Sequence, residues 1–289
     1  MVSSASFILL YGISYGVVLF TISVGLVVTL GLMRVVNMAH GAFAAIGGYA
    51  FVSLLNGLHV PFGVALAVAV LVTAALGVLL ERIVFTGLYG ASDLDQVLIT
   101  VGVAFVAIAS LNLFFGPDPV TAPLPAALAG SVDLGFRTFE KYRIFVVVLG
   151  AVLIVALWYL FERTPFGARL RAAVDNRSMA EAVGINVRRL YSLAFALGCG
   201  LAALGGAAGY TMLPLEPTYP IKYLALVLIV VALSGLGNVK ASAAIAILVG
   251  IIDTAARYVF PTSGNFVIYV LVIAVMTWRS QGLFAKPTT

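Results

Sequence analysis

Charge is what this sequence has least of. Of its 289 residues 9% are Asp, Glu, Lys or Arg, against about a quarter in an ordinary soluble domain, while 63% are hydrophobic. A water-soluble fold needs a polar shell, and too few polar residues are present to build one. The solvent is therefore a bilayer, and stability comes from helix packing and from backbone hydrogen bonds closed within each helix. Cysteine is nearly absent as well. The single Cys199 stands in an apolar, Gly-rich stretch, has no partner for an intrachain disulfide, and reads as a small buried residue. His40 and His59 lie in different segments without metal-ligand spacing, so no metal site is expected. No G-x-x-x-x-G-K-[ST] is present to cradle ATP, and neither H-E-x-x-H nor G-x-S-x-G nor paired acids suggest a hydrolase. The chain is expected to be no enzyme and to bind no cofactor itself; any uphill work must be driven by a partner or an ion gradient.

What is present is long apolar runs. A membrane-crossing helix needs about 20 such residues, and on that measure spans read near 7–31, 39–56, 61–80, 95–115, 143–161, 190–213, 222–237, 241–259 and 265–278. The expected fold is an all-α, polytopic transmembrane helical bundle of about 8–10 segments, forming one domain over 1–289. The runs around 31–56 and 221–237 are short and Gly-rich, which suits broken or re-entrant helices. Met1 to Met33 carries no charge and outlasts a signal-peptide core, so it reads as a true span. Arg163, Arg169, Arg171, Arg177, Arg188 and Arg189 crowd one connection, which the excess of positive charge on cytoplasmic loops places inside. Counting from there puts Asp118, Asp133 and Pro117–Pro125 outside and Arg34, Glu81, Arg82 and Lys240 inside. Arg137, Lys141 and Arg143 fall outside and oppose the rule. The net charge of +5 reflects these cytoplasmic loops rather than nucleic-acid binding.

Four groups of residues invite a functional reading. Asn37 and His40, followed by Gly41, stand at a span boundary where an unpaired polar group costs several kcal/mol; they either turn donors and helix N-terminal amides toward a pathway or cap a helix start. Gly205 and Gly209 make a small-xxx-small pair suited to close helix packing, with pore lining the alternative. Asp253 is the one carboxylate deep in an apolar run, although Arg257 lies one turn later and offers a local ion pair near the outer end. The inner connection 162–189 has helix-favouring residues and mixed charge, with Arg171/Asp175 and Arg177/Glu181 spaced to pair along a helix.

Several stretches resemble the branched-chain amino-acid (Liv-type) ABC permeases, specifically their H-type subunit. These are Gly31–Gly41 with its Arg34, Asn37 and Ala39-His40-Gly41; Arg163-Thr164-Pro165-Phe166-Gly167 through Arg169, Arg171, Asp175 and Asn176 to Glu181 and Gly184-Ile185-Asn186; Ser234–Asn238; and Arg279–Phe284. The resemblance implies a membrane-spanning permease subunit in a bacterial inner membrane, carrying branched-chain amino acids or related small polar solutes. It implies four kinds of partner: a second, M-type permease, two ATP-binding cassette subunits that use ATP, an external solute-binding protein, and membrane lipid. Residues 162–189 would be the cytoplasmic coupling segment. The chain departs from the family at Ala42, where many members carry an acid. A secondary transporter or channel independent of ATPases is the alternative, and the scarcity of buried acids weighs against it.

Overall fold

The computed structural model describes residues 2–33, 37–88, 91–133, 135, 138–235 and 237–278. Within them the chain forms α1 (Val2–Met33), α2 (His40–Gly57), α3 (Phe62–Ile83), α4 (Asp93–Phe115), a β1–β2 hairpin (Ser131–Asp133, Thr138–Glu140), α5 (Lys141–Arg163), α6 (Pro165–Asp175), α7 (Arg177–Ala182), α8 (Val187–Ala208), α9 (Tyr219–Lys222), α10 (Leu224–Ser234), α11 (Val239–Val259) and α12 (Gly264–Trp278). The nine expected spans become six helices long and apolar enough to cross a membrane: α1, α3, α4, α5, α8 and α11. The other three apolar segments are shorter. Helix α2 has 18 residues, α10 has 11 and α12 has 15 among those described. Among the described residues the short antiparallel hairpin, with Val132 opposite Phe139, is the one named pair of strands in an otherwise helical fold. It lies in the outer connection, where polar backbone can reach water.

Helix α1 is the axis of the bundle. From Val17 to Val28 each residue is buried, packed against α11 on one side and α8 on the other. Glycine permits that closeness. A Cβ on Gly25 would overlap the Gly198 carbonyl of α8, and one on Gly16 would collide with Ile247 of α11. By contrast α3, α4 and α5 expose Leu71, Ile83, Phe105, Leu113, Val152 and Val155, the surface that lipid requires.

Two stretches break at membrane depth. Helix α5 runs parallel to α1 with Gly150 against Val17, so Ile22 of α1 lies about 7.5 Å further inward, close to the middle of α5. The ring of His40, the first residue of α2, bonds Ile22 there, so α2 starts near the midplane and not at a surface. Gly205 and Gly209 lie against Ile22 and Val18, which sets the last turn of α8 at similar depth. Irregular chain then continues to α9 and α10. The outer connection folds down over it: Val120 bridges Leu215, Asn56 Nδ2 donates to the Thr121 carbonyl at 2.8 Å, and Tyr210 donates to that of Ala122 at 3.3 Å.

Arg143, which opposed the charge rule, has its own compensation. Its guanidinium stacks 4.2 Å from the Tyr11 ring centroid and bonds Glu140 at 3.0 Å and Ser14 at 3.3 Å. A cation so satisfied needs no cytoplasmic placement. Arg137 lies outside the described residues.

Candidate functional site

At the helix junction the polar residues bond backbone, although Asn37 Nδ2 has no hydrogen-bond partner among the described residues. Asn37 is 2% exposed, and its Oδ1 accepts from the Ala39 N–H at 3.0 Å, an Asx turn that leads the chain into α2. The N-cap itself, Ala39, makes no side-chain bond. The neighbouring Met38 N–H donates to Thr100 Oγ1 of α4 at 3.1 Å. His40 Nε2 stands 2.8 Å from the Ile22 carbonyl, and since a carbonyl can only accept, Nε2 carries the proton. Gly41 touches the Pro220 carbonyl of α9 so closely that a Cβ there would overlap it. The two broken segments thus meet face to face, and Asn37, His40 and Gly41 line neither of the two cavities described below.

Those cavities lie one above the other. The outer one, about 760 Å³, is walled by Tyr15 of α1, Arg143 of α5, Met212–Pro214, Lys222, Tyr223, Leu226 of α10, Asp253 and Arg257 of α11, and Ile268 and Tyr269 of α12. The inner one, about 1040 Å³, takes its walls from the same helices further in: Val28, Trp158, Leu228, Ala232, Lys240 and Met276, closed below by Leu170 and Arg171 of α6. Along α10 the outer cavity ends at Leu226 and the inner one begins at Leu228. One turn or less of one short helix separates them.

Asp253 is the acid of the outer cavity. Its side chain is 3% exposed, Oδ2 accepts from Arg257 Nε at 2.8 Å, and Oδ1 has no hydrogen-bond partner among the described residues. From the sequence an ion pair and a role in the pathway are alternatives for it; the geometry provides the ion pair and a place in the cavity wall together. Lys222 pairs with Glu216 at 2.6 Å, and that hydrogen bond holds the Glu216 carboxyl below the usual carboxylate range. Lys222, Tyr15 and Tyr223 escaped the sequence reading. Lys222, beside Pro220 in a run otherwise apolar, was the available signal.

The inner connection folds into two short helices. Thr164 caps α6 and Asn176 Oδ1 caps α7 by accepting from Met179 N–H at 3.0 Å. Gly184, at φ +86°, ends α7 in the left-handed region, with Ile185 N–H donating to the Ala180 carbonyl at 3.0 Å. Leu170, Ala173, Ala180, Val187 and Leu190 form a small cluster that fixes α6 and α7 to the start of α8. Arg177 and Glu181 pair at 3.0 Å. Arg171 and Asp175 do not. Arg171 instead bonds the Phe161 carbonyl, because Gly167 brings α6 hard against the end of α5, where carbonyls lack helical partners. Arg163, Arg169, Asp175 and Asn176 are exposed, as are Met179 at 61% and Val183 at 69%. A further buried acid, Glu81, sits at the inner end of α3 and accepts from Ser192 of α8 at 2.7 Å.

The family model described as branched-chain amino acid transport system / permease component matches residues 8–276. The chain belongs to this family. It is a multi-pass membrane permease component and no enzyme. It is 24% identical to the high-affinity branched-chain amino acid transport system permease protein BraD of Pseudomonas aeruginosa, over 96% of this chain and 95% of that one. It is 22% identical to the corresponding LivH of Escherichia coli K12, over 96% and 94%. Its 26% identity to LivM of the same organism spans 91% of this chain and 66% of that longer one, so the H-type proteins match it more completely. No solved structure matches the chain.

Proposed function

We propose that this permease forms half of the translocation pathway of an ABC importer for branched-chain amino acids or related small polar solutes in a bacterial inner membrane. The observation that carries this reading is the stacking of two cavities, one from each side, on the same helices with only the Leu226–Leu228 stretch of α10 between them. A pathway that is open in turn to either side needs two vestibules and a thin barrier, and the two helix breaks meeting at Gly41 and Pro220 supply irregular backbone at the barrier's depth. A second, M-type permease would close the exposed sides of both vestibules. The chain binds no cofactor of its own in this reading. Two ATPase subunits would seat α6 and α7 in a surface groove, where Met179 and Val183 provide apolar contact amid exposed Arg163, Arg169 and Arg177. An external solute-binding protein would deliver the solute to the outer vestibule.

The test is uptake of labelled leucine into proteoliposomes holding this chain, its second permease, the ATPases and the binding protein. ATP-dependent accumulation requiring all four kinds of subunit is the expected result. Accumulation by this chain alone without ATP would instead establish a secondary carrier.

A further inference from the structure

The outer vestibule has a specific chemical character. An ion pair buried on one side, Asp253 with Arg257, lies in its wall, and one oxygen of that pair, Asp253 Oδ1, is unpartnered among the described residues. Leaving a carboxylate oxygen buried and unbonded is costly. Arg257 uses Nε on Asp253 and is half-exposed, so its outer nitrogens remain available. Lys222 and Arg143 already have acids of their own, Glu216 and Glu140. Leu213, Leu226 and Ile268 give the same cavity an apolar wall.

We infer, resting on the permease reading above, that this vestibule binds its solute as an α-amino-acid zwitterion, with the ammonium on Asp253 Oδ1, the carboxylate on Arg257, and the aliphatic side chain against Leu213, Leu226 and Ile268. A zwitterion is the complement of an ion pair. Its two charges stand on one carbon and meet two opposite charges one helical turn apart, so both poles are satisfied together. Asp253 Oδ1 is itself enclosed, so the ammonium reaches it as the aspartate turns about its soft terminal torsion and re-forms its bond to the half-exposed Arg257 guanidinium. Urea and neutral amides have no ammonium to offer, and a simple carboxylate would leave Oδ1 unbonded beside a second negative charge. The vestibule is therefore selective for amino acids independently of any binding protein.

Labelling tests this directly. The only cysteine of this chain, Cys199, is buried, so Thr254→Cys in the vestibule wall gives this chain a single reactive thiol, whose labelling is read on this subunit in the permease complex without binding protein. Millimolar leucine should slow its reaction with a membrane-impermeant maleimide, whereas urea and 4-methylpentanoate, which is leucine without its ammonium, should not. Adding Asp253→Asn should weaken leucine protection by about tenfold or more, and Asp253→Glu should restore most of it. Equal protection by 4-methylpentanoate, or undiminished protection in Asp253→Asn, overturns the inference. The analogue series needs no change at Asp253, so a variant that fails to assemble leaves a decisive measurement. Failure of ATP-driven leucine uptake by the wild-type assembly would strike the permease reading instead; normal uptake with no protection, or with protection indifferent to the ammonium, strikes this inference alone.

Discussion

Two buried polar stations differ in what surrounds them, backbone at one and a cavity at the other. At the junction of α1, α2 and α9, Asn37 and His40 are 2% and 1% exposed and bond the backbone of Ala39 and Ile22, with Asn37 Nδ2 left unpartnered among the described residues and neither cavity beside it. In the outer vestibule, Asp253 is equally buried but spends one oxygen on Arg257, and the residue itself stands in a cavity wall. The first station converts polar groups into a joint. The second sets one in the wall of a cavity. A polar residue in an apolar run thus has no single meaning; what decides between joint and site is whether the surrounding helices close over it or leave a cavity.

The comparison breaks most visibly if the joint is filled. Gly41→Leu would drive a side chain into the Pro220 carbonyl, and backbone on both sides leaves no cheap retreat. Near-complete loss of the monodisperse permease in detergent is expected, read by size-exclusion chromatography. Gly206→Leu, facing the Ala44 carbonyl across α8 and α2, should do the same, while Gly102→Leu on lipid-facing α4, with open space around it, should not.

A subtler contrast separates stability from solute. His40→Ala removes one buried bond and should cost about 1–3 kcal/mol, lowering the Tm of the complex while leaving the KM for leucine uptake near wild type. Asp253→Asn should show the reverse, with a raised KM and a Tm little changed, because Arg257 is left half in solvent. If both variants shift the same quantity, the distinction between joint and site fails.

Much of this was legible beforehand, and what was not has a physical cause. Six of nine apolar runs became full spans, and the two Gly-rich runs singled out as broken are the two shorter helices that meet at mid-depth. Composition reports how much helix lipid can hold, and glycine reports where backbones touch. Neither reports depth. That α2 begins at the level of Ile22 follows from a contact 18 residues away, and no local pattern encodes it. The outer vestibule was hidden for the same reason: Tyr15, Arg143, Lys222 and Asp253 come from four distant stretches, and only Asp253 and Lys222 stand out of place in their own apolar runs. Arg143 stood out only as an exception to the charge rule, and its stacking on Tyr11 shows that the exception marked the vestibule wall.

The α6–α7 segment is a control for both stations, since it lies away from the joint and lines only the inner cavity, not the outer vestibule. Gly184 has no neighbour within 4 Å of where its Cβ would stand, yet its φ of +86° disfavours any other residue. Gly184→Val should therefore strain the α7 terminus by about 1–3 kcal/mol without touching the bundle. Membrane insertion and Tm of the transmembrane part should persist while solute-stimulated ATPase activity falls several-fold; unchanged stimulation would remove this turn from the coupling surface. Smaller still is Glu181→Gln. Its pair with Arg177 has both side chains about half exposed, so it contributes under about 1 kcal/mol and is screened by salt. Expected is a Tm within error of wild type and, at low ionic strength only, a slight weakening of ATPase binding, because losing an acid from an arginine-rich surface alters steering more than fit.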